Sequence, residues 1–355
     1  MAGSMRDWIE KWDGLGVVVH YDAPSEAWFY VALHDDTLGP PTGGCRMKLY
    51  AHPDDGLVDA LRLARGMTYK WAGIDLPFGG GKSVIALSRP LRGEERVETL
   101  LRFGGLLQSL RGAYWTGEDL GTTPEDMATI ARATRYVHGV KKPGEPAVDP
   151  GPYTARGVLA GIRGAAEHFL GKENLAGVSV LIQGVGHVGR PLARSLSESG
   201  ARLILSDLDS ERARGLAAEL GAEVVGAEAI DTPCDVFAPC AVGGVLNAET
   251  IPRLQCRIVA GSANNQLRED GDANRLRDRG ILYVPDYVVN AGGAIGLALL
   301  GRKRSDAEIE ERIDGIREAI LAILEESAER GEAPVKAADR RAERNLERKA
   351  AALAE

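Results

Sequence analysis

Gly184-Val185-Gly186-His187-Val188-Gly189 decides how this chain is read. An apolar run, Val178-Ser179-Val180-Leu181-Ile182-Gln183, leads into it, and a helix-like segment, Arg190 to Leu196, follows. A second apolar run, Leu203-Ile204-Leu205-Ser206, then ends on Asp207. The order is strand, glycine turn, helix, strand, acid, and a dinucleotide-binding unit needs each part. Gly184 permits the tight turn, Gly186 lets a pyrophosphate approach the backbone, and Gly189 lets helix and strand pack closely. The helix N-terminus, with Val185, His187 and Val188 in the turn before it, faces the phosphates, and Asp207 accepts ribose hydroxyls. A bare GxGxxG is often only a glycine-rich turn. The flanking strand, helix and acid make this one an expected NAD site.

Beyond Asp207 the same pattern continues. Short apolar runs recur at Glu223–Val225, Asp235–Ala238, Arg257–Ala260 and Ile281–Val284, with helical segments between several of them. This predicts a Rossmann-type, parallel, doubly wound α/β domain. Small residues follow the runs: Ala238-Pro239-Cys240, Gly261-Ser262-Ala263-Asn264-Asn265 and Asn290-Ala291-Gly292-Gly293. Ligands of such sheets sit beyond the strand C-termini, so these loops are site candidates. Ser305-Asp306-Ala307-Glu308 predicts a capping box opening one helix, with Ile309, Ile313, Ile316, Ile320 and Ile323 or Leu324 on its stripe. The charged, Ala-rich tail from Pro334 reads as a solvated helix lying on a domain.

Towards the N-terminus, residues 15–34 read as two strands around a turn at Asp22 to Glu26. Leu38 to Arg46, dense in glycine and proline, reads as a surface loop. A helix is expected after Pro53, opened by Asp54 or Asp55, with Leu57, Leu61, Ala64 and Met67 on its core face and Lys70 near its end. The loop Leu76 to Gly81 then delivers Lys82, and Ser83 to Leu87 reads as a strand. Gly81-Lys82-Ser83 is not a phosphate-binding P-loop, because that motif needs glycine at position 76, where Leu stands, and the triplet precedes its strand. Leu100 to Leu110 is expected to be helical, and Pro124 starts another helix. The aperiodic, Pro- and Gly-rich residues 141–152 mark the boundary between an N-terminal domain, 1–146, and a nucleotide-binding domain, 147–332. The tail, about 333–355, packs back. After the boundary, Tyr153 to Leu170 reads as an apolar-faced helix.

The chain has 355 residues, 44% of them hydrophobic, enough for two globular cores. A net charge of -8 argues against a nucleic acid or an acidic membrane as partner. No apolar run reaches the roughly 18 residues of a membrane span, and no signal peptide is visible. Cys45, Cys234, Cys240 and Cys256 lack CxxC spacing and read as reduced thiols of a cytoplasmic protein. The six scattered histidines carry neither HxxxH nor HExxH, so no metal site is expected.

A nicotinamide cofactor implies hydride transfer but names no substrate. The N-terminal half offers Lys70, Lys82 and Asp119 in or beside Gly- or Trp-rich segments. A single surface lysine is usually only a solvated charge. Three glycines precede Lys82, and they give up backbone stability to shape a close approach, as a catalytic base needs.

Leu38-Gly39-Pro40, Gly43-Gly44, Gly66 to Lys70, Gly79 to Lys82 and Glu118-Asp119-Leu120-Gly121-Thr122 resemble the glutamate/leucine/phenylalanine/valine dehydrogenases. Asp235 to Cys240, Gly261 to Leu267 and Asn290 to Gly293 continue the likeness, which spans about residues 13 to 345, in order. The resemblance implies an N-terminal α/β substrate and oligomerisation domain, a homo-oligomer, and NAD-dependent oxidative deamination of an L-amino acid to a 2-oxo acid and ammonia. Carried over by motif, Lys70 holds the substrate carboxylate, helped by Asn264 or Asn265, beside Gly39, Gly43 and Gly44. Lys82 is the base that activates water, and Asp119 binds the amino group and relays protons. A partly desolvated lysine beside another cation works as a base near neutrality. Thr154 and Asn290 lie at the nicotinamide end, and Ala238, Pro239, Cys240, Ala260 and Gly261 complete the cofactor site.

Glutamate would need another cation in the pocket, and none is identified. Leucine-type enzymes usually carry Ala where Gly117 stands and Val where Ala294 stands, so the side-chain pocket, with Leu297, is enlarged. The run Thr116-Gly117, Asp119 and Gly121 to Asp126 resembles the phenylalanine enzymes, while Glu118 departs toward the leucine type. The expected substrate is L-phenylalanine, with leucine or valine as the alternative. A catalytically silent NAD-binding regulator is disfavoured by the intact Lys70, Lys82 and Asp119.

Overall fold

The computed structural model describes residues 5–140, 148–228, 230–301 and 303–354. It divides into two compact units, Met1–Asp149 with Leu297–Lys303 and Ala342–Glu355, and Pro150–Gly296 with Arg304–Arg341. The boundary expected between 146 and 147 falls within residues 141–147, outside the described residues.

In the first unit a short helix α1 (Met5–Trp12) precedes the hairpin β1 (Gly16–Asp22) and β2 (Ala27–Asp35). Gly16 pairs with Leu33 and Asp22 with Ala27, as the two apolar runs around a turn require. Next come β3 (Pro41–Leu49), α2 (Pro53–Gly73), β4 (Gly79–Leu87), α3 (Gly93–Ser109), β5 (Trp115–Glu118) and α4 (Pro124–Ala131). The sheet order is β1-β2-β4-β3-β5. β2 runs antiparallel to β4, and β3 runs parallel to both β4 and β5. One face packs Tyr30, Ala32, Val84 and Ala86 with Leu57, Leu61 and Ala64 of α2. The other packs Phe29, Met47 and Ile85 with Leu100, Phe103 and Leu107 of α3 and with Met127 and Ile130 of α4.

Two loops expected from the sequence are strands. Leu38–Arg46 contains the start of β3, and Gly79–Gly81 open β4 instead of forming a loop before Lys82. The glycines are there for clearance. A Cβ on Gly80 would lie 1.8 Å from Thr68 Oγ1 of α2, and one on Gly79 would lie 2.1 Å from the Asp35 carbonyl oxygen. The sequence pattern of close approach is the same in a turn and in a strand crossed tightly by a helix. The α2 N-cap is His52, with no side-chain cap, rather than Asp54 or Asp55. Those two acids sit in the first turn, where they favour the helix dipole.

The second unit opens with α5 (Gly151–Leu170), then β6 (Ser179–Gln183), α6 (Gly189–Glu198), β7 (Arg202–Ser206), α7 (Ser210–Leu220), β8 (Glu223–Val224) and β9 (Val236–Pro239). It continues with β10 (Ile258–Val259), α8 (Gly271–Asp278), β11 (Leu282–Tyr283), α9 (Asp286–Val289) and the first half of α10 (Gly292–Gly301), whose residues from Leu297 on are counted with the first unit. The sheet order β11-β10-β9-β6-β7-β8, parallel at every described pair, is the doubly wound dinucleotide-binding topology read from the sequence. Ser305 and Glu308 form the expected capping box. The stripe behind it is split between α11 (Asp306–Asp314) and α12 (Ile316–Arg330), joined at Gly315, so one expected helix is two. Ile309, Ile313, Ile316, Ile320, Ile323 and Leu324 are all buried, which is why the apolar period crosses the break. The tail is α13 (Pro334–Ala354). It is not wholly solvated, because Ala337, Ala338 and Ala342 are buried. Asn345 donates to the Ala72 carbonyl at 2.8 Å, both within the first unit. No helix among the described residues is long and apolar enough to cross a membrane.

Candidate active site

In the first unit Lys82 stands inside β4, the middle strand, and is 4% exposed. Side chains alternate along a strand, so Lys82 shares the face of Val84 and Ala86 and lies toward α2. Its Nζ is 3.1 Å from Asp119 Oδ1. A cation stands on the other side of this carboxylate: Arg46 donates from Nε to Asp119 Oδ2 at 2.8 Å. Burial works to raise the Asp119 carboxyl, and Lys82 and Arg46 outweigh it, bringing it to about 2. Asp119 is therefore an anion at any working pH.

Asp119 follows β5 and is fixed by its neighbours. Its amide donates to Thr122 Oγ1 at 3.0 Å, and Thr122 Oγ1 donates to the Cys45 carbonyl at 2.9 Å. Gly44 lies against it, since a Cβ there would be 2.7 Å from Asp119 Cβ. Gly43 is equally tight, with a would-be Cβ 1.9 Å from the Gly81 carbonyl oxygen and 3.2 Å from Met67 of α2. Gly39 has φ +151 and abuts the Pro77 carbonyl. Lys70 is half-buried on the last turn of α2. Gly117 is buried in β5 beside Gly44, and a Cβ on it would meet nothing nearer than His138 Cβ, at 3.8 Å. Leu297 is buried and belongs to this unit. Gly44, Lys82 and Asp119 thus lie together in this unit.

In the second unit Gly184 has φ +96, which an L side chain rarely adopts, and its amide donates to the Ser206 carbonyl at 2.7 Å. A Cβ on Gly189 would lie 1.9 Å from the Gly184 carbonyl oxygen, so turn and α6 touch through glycine. Gly186 is open, with nothing within 4 Å of a Cβ there. Asp207 accepts from the Val185 amide at 2.8 Å and the Asp209 amide at 2.9 Å, which pins its carboxylate beside the turn. His187 is exposed, Val188 is half-buried, and α6 begins at Gly189. Together these features fit a dinucleotide: an open concavity at Gly186, amide donors at a helix start and an acid at the end of β7.

The ends of β9 and β10 meet the same turn. Cys240 donates its amide to Gln183 at 2.8 Å, and a Cβ on Gly261 would lie 2.3 Å from the Pro239 carbonyl oxygen. Ala238 and Ala260 are fully buried just before these positions. Asn290 donates from Nδ2 to Asn264 Oδ1 at 2.8 Å and to the Ser262 carbonyl at 3.2 Å. With that oxygen engaged, the remaining Asn264 amide is a donor. Asn265 takes a left-handed φ of +52. Thr154 donates to the Pro150 carbonyl at 2.9 Å and sits by Gly293, whose Cβ would lie 2.4 Å from Thr154 Oγ1. Ala294, in the first turn of α10, is half-buried. Thr154, Asn264 and Asn290 are thus carried by one unit with the glycine turn, while Lys70, Lys82 and Asp119 are carried by the other.

Sequence reasoning gave no role to Arg46, Asp59 or Tyr50. Arg46 donates from Nη1 to Asp59 Oδ2 at 3.0 Å, and the Tyr50 hydroxyl donates to the same oxygen at 2.7 Å. The available signal was an arginine two positions after a Gly-Gly pair. A long-range partner 73 positions away has no sequence signature.

This fold and site define a two-domain dehydrogenase with a Rossmann-type unit. Residues 26–136 match the Glu/Leu/Phe/Val dehydrogenase dimerisation domain, and 205–352 match the Glutamate/Leucine/Phenylalanine/Valine dehydrogenase domain. Leucine dehydrogenase of Thermoactinomyces intermedius is 44% identical over 345 residues, covering 96% of this chain and 93% of the relative. Phenylalanine dehydrogenase of Lysinibacillus sphaericus is 37% identical over 326 residues, covering 89% and 84%. The crystal structure of L-tryptophan dehydrogenase from Nostoc punctiforme superposes with a TM-score of 0.84 at 37% identity, covering 97% and 99%. The chain belongs to the Glu/Leu/Phe/Val dehydrogenase family. It is an amino acid dehydrogenase, an oxidoreductase acting on the CH–NH2 group, in a family that typically uses NAD or NADP.

Proposed function

We propose that this enzyme oxidatively deaminates branched-chain L-amino acids, L-leucine foremost, to 2-oxo acids and ammonia with NAD, and catalyses reductive amination in reverse. The observation that carries the chemistry is the buried Lys82–Asp119 pair at 3.1 Å on a face opened by glycines. Leucine is supported by the extent of the match to leucine dehydrogenase. NAD over NADP is supported by the pinned Asp207 carboxylate, which repels a 2′-phosphate.

Lys70 holds the substrate carboxylate. That fixes the Cα hydrogen in one direction. Asp119, always ionised, receives the amino group. Bound NAD would supply the acceptor for the Cα hydride. Lys82 takes a proton from water as it adds to the imino carbon and passes it to the nitrogen; ammonia leaves as the new hydroxyl gives its proton back to Lys82 and the carbonyl forms. Asp119 serves this step as a fixed anion more than as a proton store, because its carboxyl is held so low. The enzyme assembles as a homo-oligomer through its N-terminal unit, in keeping with the dimerisation-domain match.

A second reading, an aromatic substrate such as L-phenylalanine, is favoured by the free space at Gly117. NADH absorbance at alkaline pH with L-Leu, L-Val, L-Phe, L-Trp and L-Glu separates the two. The highest kcat/KM is expected with L-Leu; a higher value with L-Phe replaces the first reading by the second. Equal kcat/KM for NAD and NADP would remove Asp207 from its role.

A further inference from the structure

Lys82 and Arg46 divide the Asp119 carboxylate between them. Lys82 Nζ is 3.1 Å from Oδ1, and Arg46 Nε is 2.8 Å from Oδ2. The guanidinium is itself held from behind. Its Nη1 reaches Asp59 Oδ2 at 3.0 Å, where the Tyr50 hydroxyl also donates at 2.7 Å, and Arg62 Nη2 binds Asp59 Oδ1 at 2.9 Å. The Arg46 and Asp59 side chains are each 12% exposed, whereas Arg62 is 54% exposed. The main chain around Arg46 grips the same loop: the Cys45 carbonyl accepts from Thr122 Oγ1 at 2.9 Å, and the Met47 amide donates to the Leu120 carbonyl at 2.9 Å.

The two cations are not equivalent. An arginine does not lose its proton in a protein, but a lysine that works as a base must. Each time Lys82 is the neutral amine, Arg46 remains as a cation on Asp119. Resting on the roles given above to Lys82 and Asp119, we propose that Arg46, anchored by Asp59 and Tyr50, is a positioning residue. It keeps Asp119 ionised and turned so that one carboxylate oxygen stays free for Lys82 and the substrate amino group. The charged and titratable groups around Asp119 are Lys82 from β4 and Arg46 from β3, with Asp59, Arg62 and Tyr50 behind. The Cys45 thiol nearby is pushed up to about 12 by burial and stays neutral.

The test compares Arg46→Met, Arg46→Lys, Asp59→Asn and Tyr50→Phe in the full-length enzyme with its preferred amino acid. Arg46→Met is expected to lower kcat about 10²-fold, the scale of one acid–base contribution, with NADH affinity unchanged. The acidic limb of its kcat/KM profile, set in wild type by the Lys82 base, moves to higher pH, because losing a cation beside Asp119 raises the groups around it. Arg46→Lys recovers at least part of the loss. Asp59→Asn lowers kcat less than Arg46→Met does, and Tyr50→Phe shifts the limb less in the same direction. A folded Arg46→Met with wild-type kcat and pH profile overturns the proposal. If Arg46→Met does not fold, the Tyr50→Phe profile decides in its place: a limb moved to higher pH supports the proposal and an unchanged profile overturns it. Lys82→Ala and Asp119→Asn made alongside keep the two readings apart. Normal turnover in those removes the assigned machinery; inactivity there with a normal Arg46→Met removes only the positioning role.

Discussion

In the second unit's sheet the strands are apolar and the functional glycines stand beyond their ends, at Gly184, Gly186 and Gly261. In the first unit's sheet Gly43, Gly44 and Gly79 to Gly81 lie within strands, and a lysine is buried in the middle one. In the second unit glycine shapes the turn between β6 and α6. In the first it lets a helix and strands close around a charged pair. On the proposed roles, cofactor binding rests on that turn and one acid, and the chemistry on a few side chains whose charges must balance. Substitutions should separate the two.

The largest effect is expected for Lys82→Ala. Losing the base should lower kcat by about 10³-fold or more, while NADH affinity, measured by fluorescence titration, stays within about twofold of wild type. Affinity lost together with kcat would mean that the glycine-opened face also serves the cofactor, and the contrast between the sheets would fail.

Glycine itself gives the next contrast. A Cβ on Gly189 would lie 1.9 Å from a carbonyl oxygen, but one on Gly186 would meet nothing. Gly189→Ala should therefore lower both the melting temperature and NADH affinity, the latter by one to two powers of ten, about 1–3 kcal/mol. Gly186→Ala should leave the melting temperature unchanged and weaken only the cofactor. A thermally normal Gly189→Ala would show that turn and helix can separate at little cost.

These contrasts also explain what was legible. The second unit could be read in outline because its strands are short apolar runs punctuated by small residues, and the acid Asp207 closes the pattern. Gly79 to Gly81 and Gly43-Gly44 look like loops in sequence, since glycine lowers strand propensity and what explains them is close approach of α2 and of neighbouring strand and loop atoms. Lys82 and Asp119 stood out because they sit in unusual glycine surroundings. The guanidinium on the far oxygen of Asp119 did not, because Arg46, Asp59 and Tyr50 meet only in three dimensions. The break at Gly315 was hidden for the opposite reason: the isoleucine period runs on through it.

The charged pair carries an expectation in acid. Asp119 has a folded value near 2 against an ordinary 3.8, so the folded state stays ionised where the unfolded chain is protonated. Its contribution is complete above the ordinary value and is lost as pH falls through the folded one. Between about pH 4 and pH 2 the wild type should lose about 2 kcal/mol more unfolding free energy than Asp119→Asn, read by urea unfolding. Parallel pH curves for the two proteins would mean that Lys82 and Arg46 do not hold the carboxyl down.

The smallest expected effect concerns Gly117. It lies beside Gly44 on β5, close to the Asp119 end of the strand, and an added methyl meets only His138 Cβ at 3.8 Å. Gly117→Ala should thus fold normally, and any kinetic change reports on substrate space. If Gly117 faces the substrate side chain, the methyl takes volume that an aromatic ring needs and a leucine side chain does not. Overpacking a shaped pocket costs about 1–3 kcal/mol, and 1.4 kcal/mol is about one power of ten. The ratio of kcat/KM for L-Leu over L-Phe should rise about tenfold. The ratio is the quantity to measure, since it cancels losses common to both substrates. An unchanged ratio in an enzyme of normal melting temperature would show that the room at Gly117 does not admit the side chain. The aromatic reading would then lose the observation that favours it.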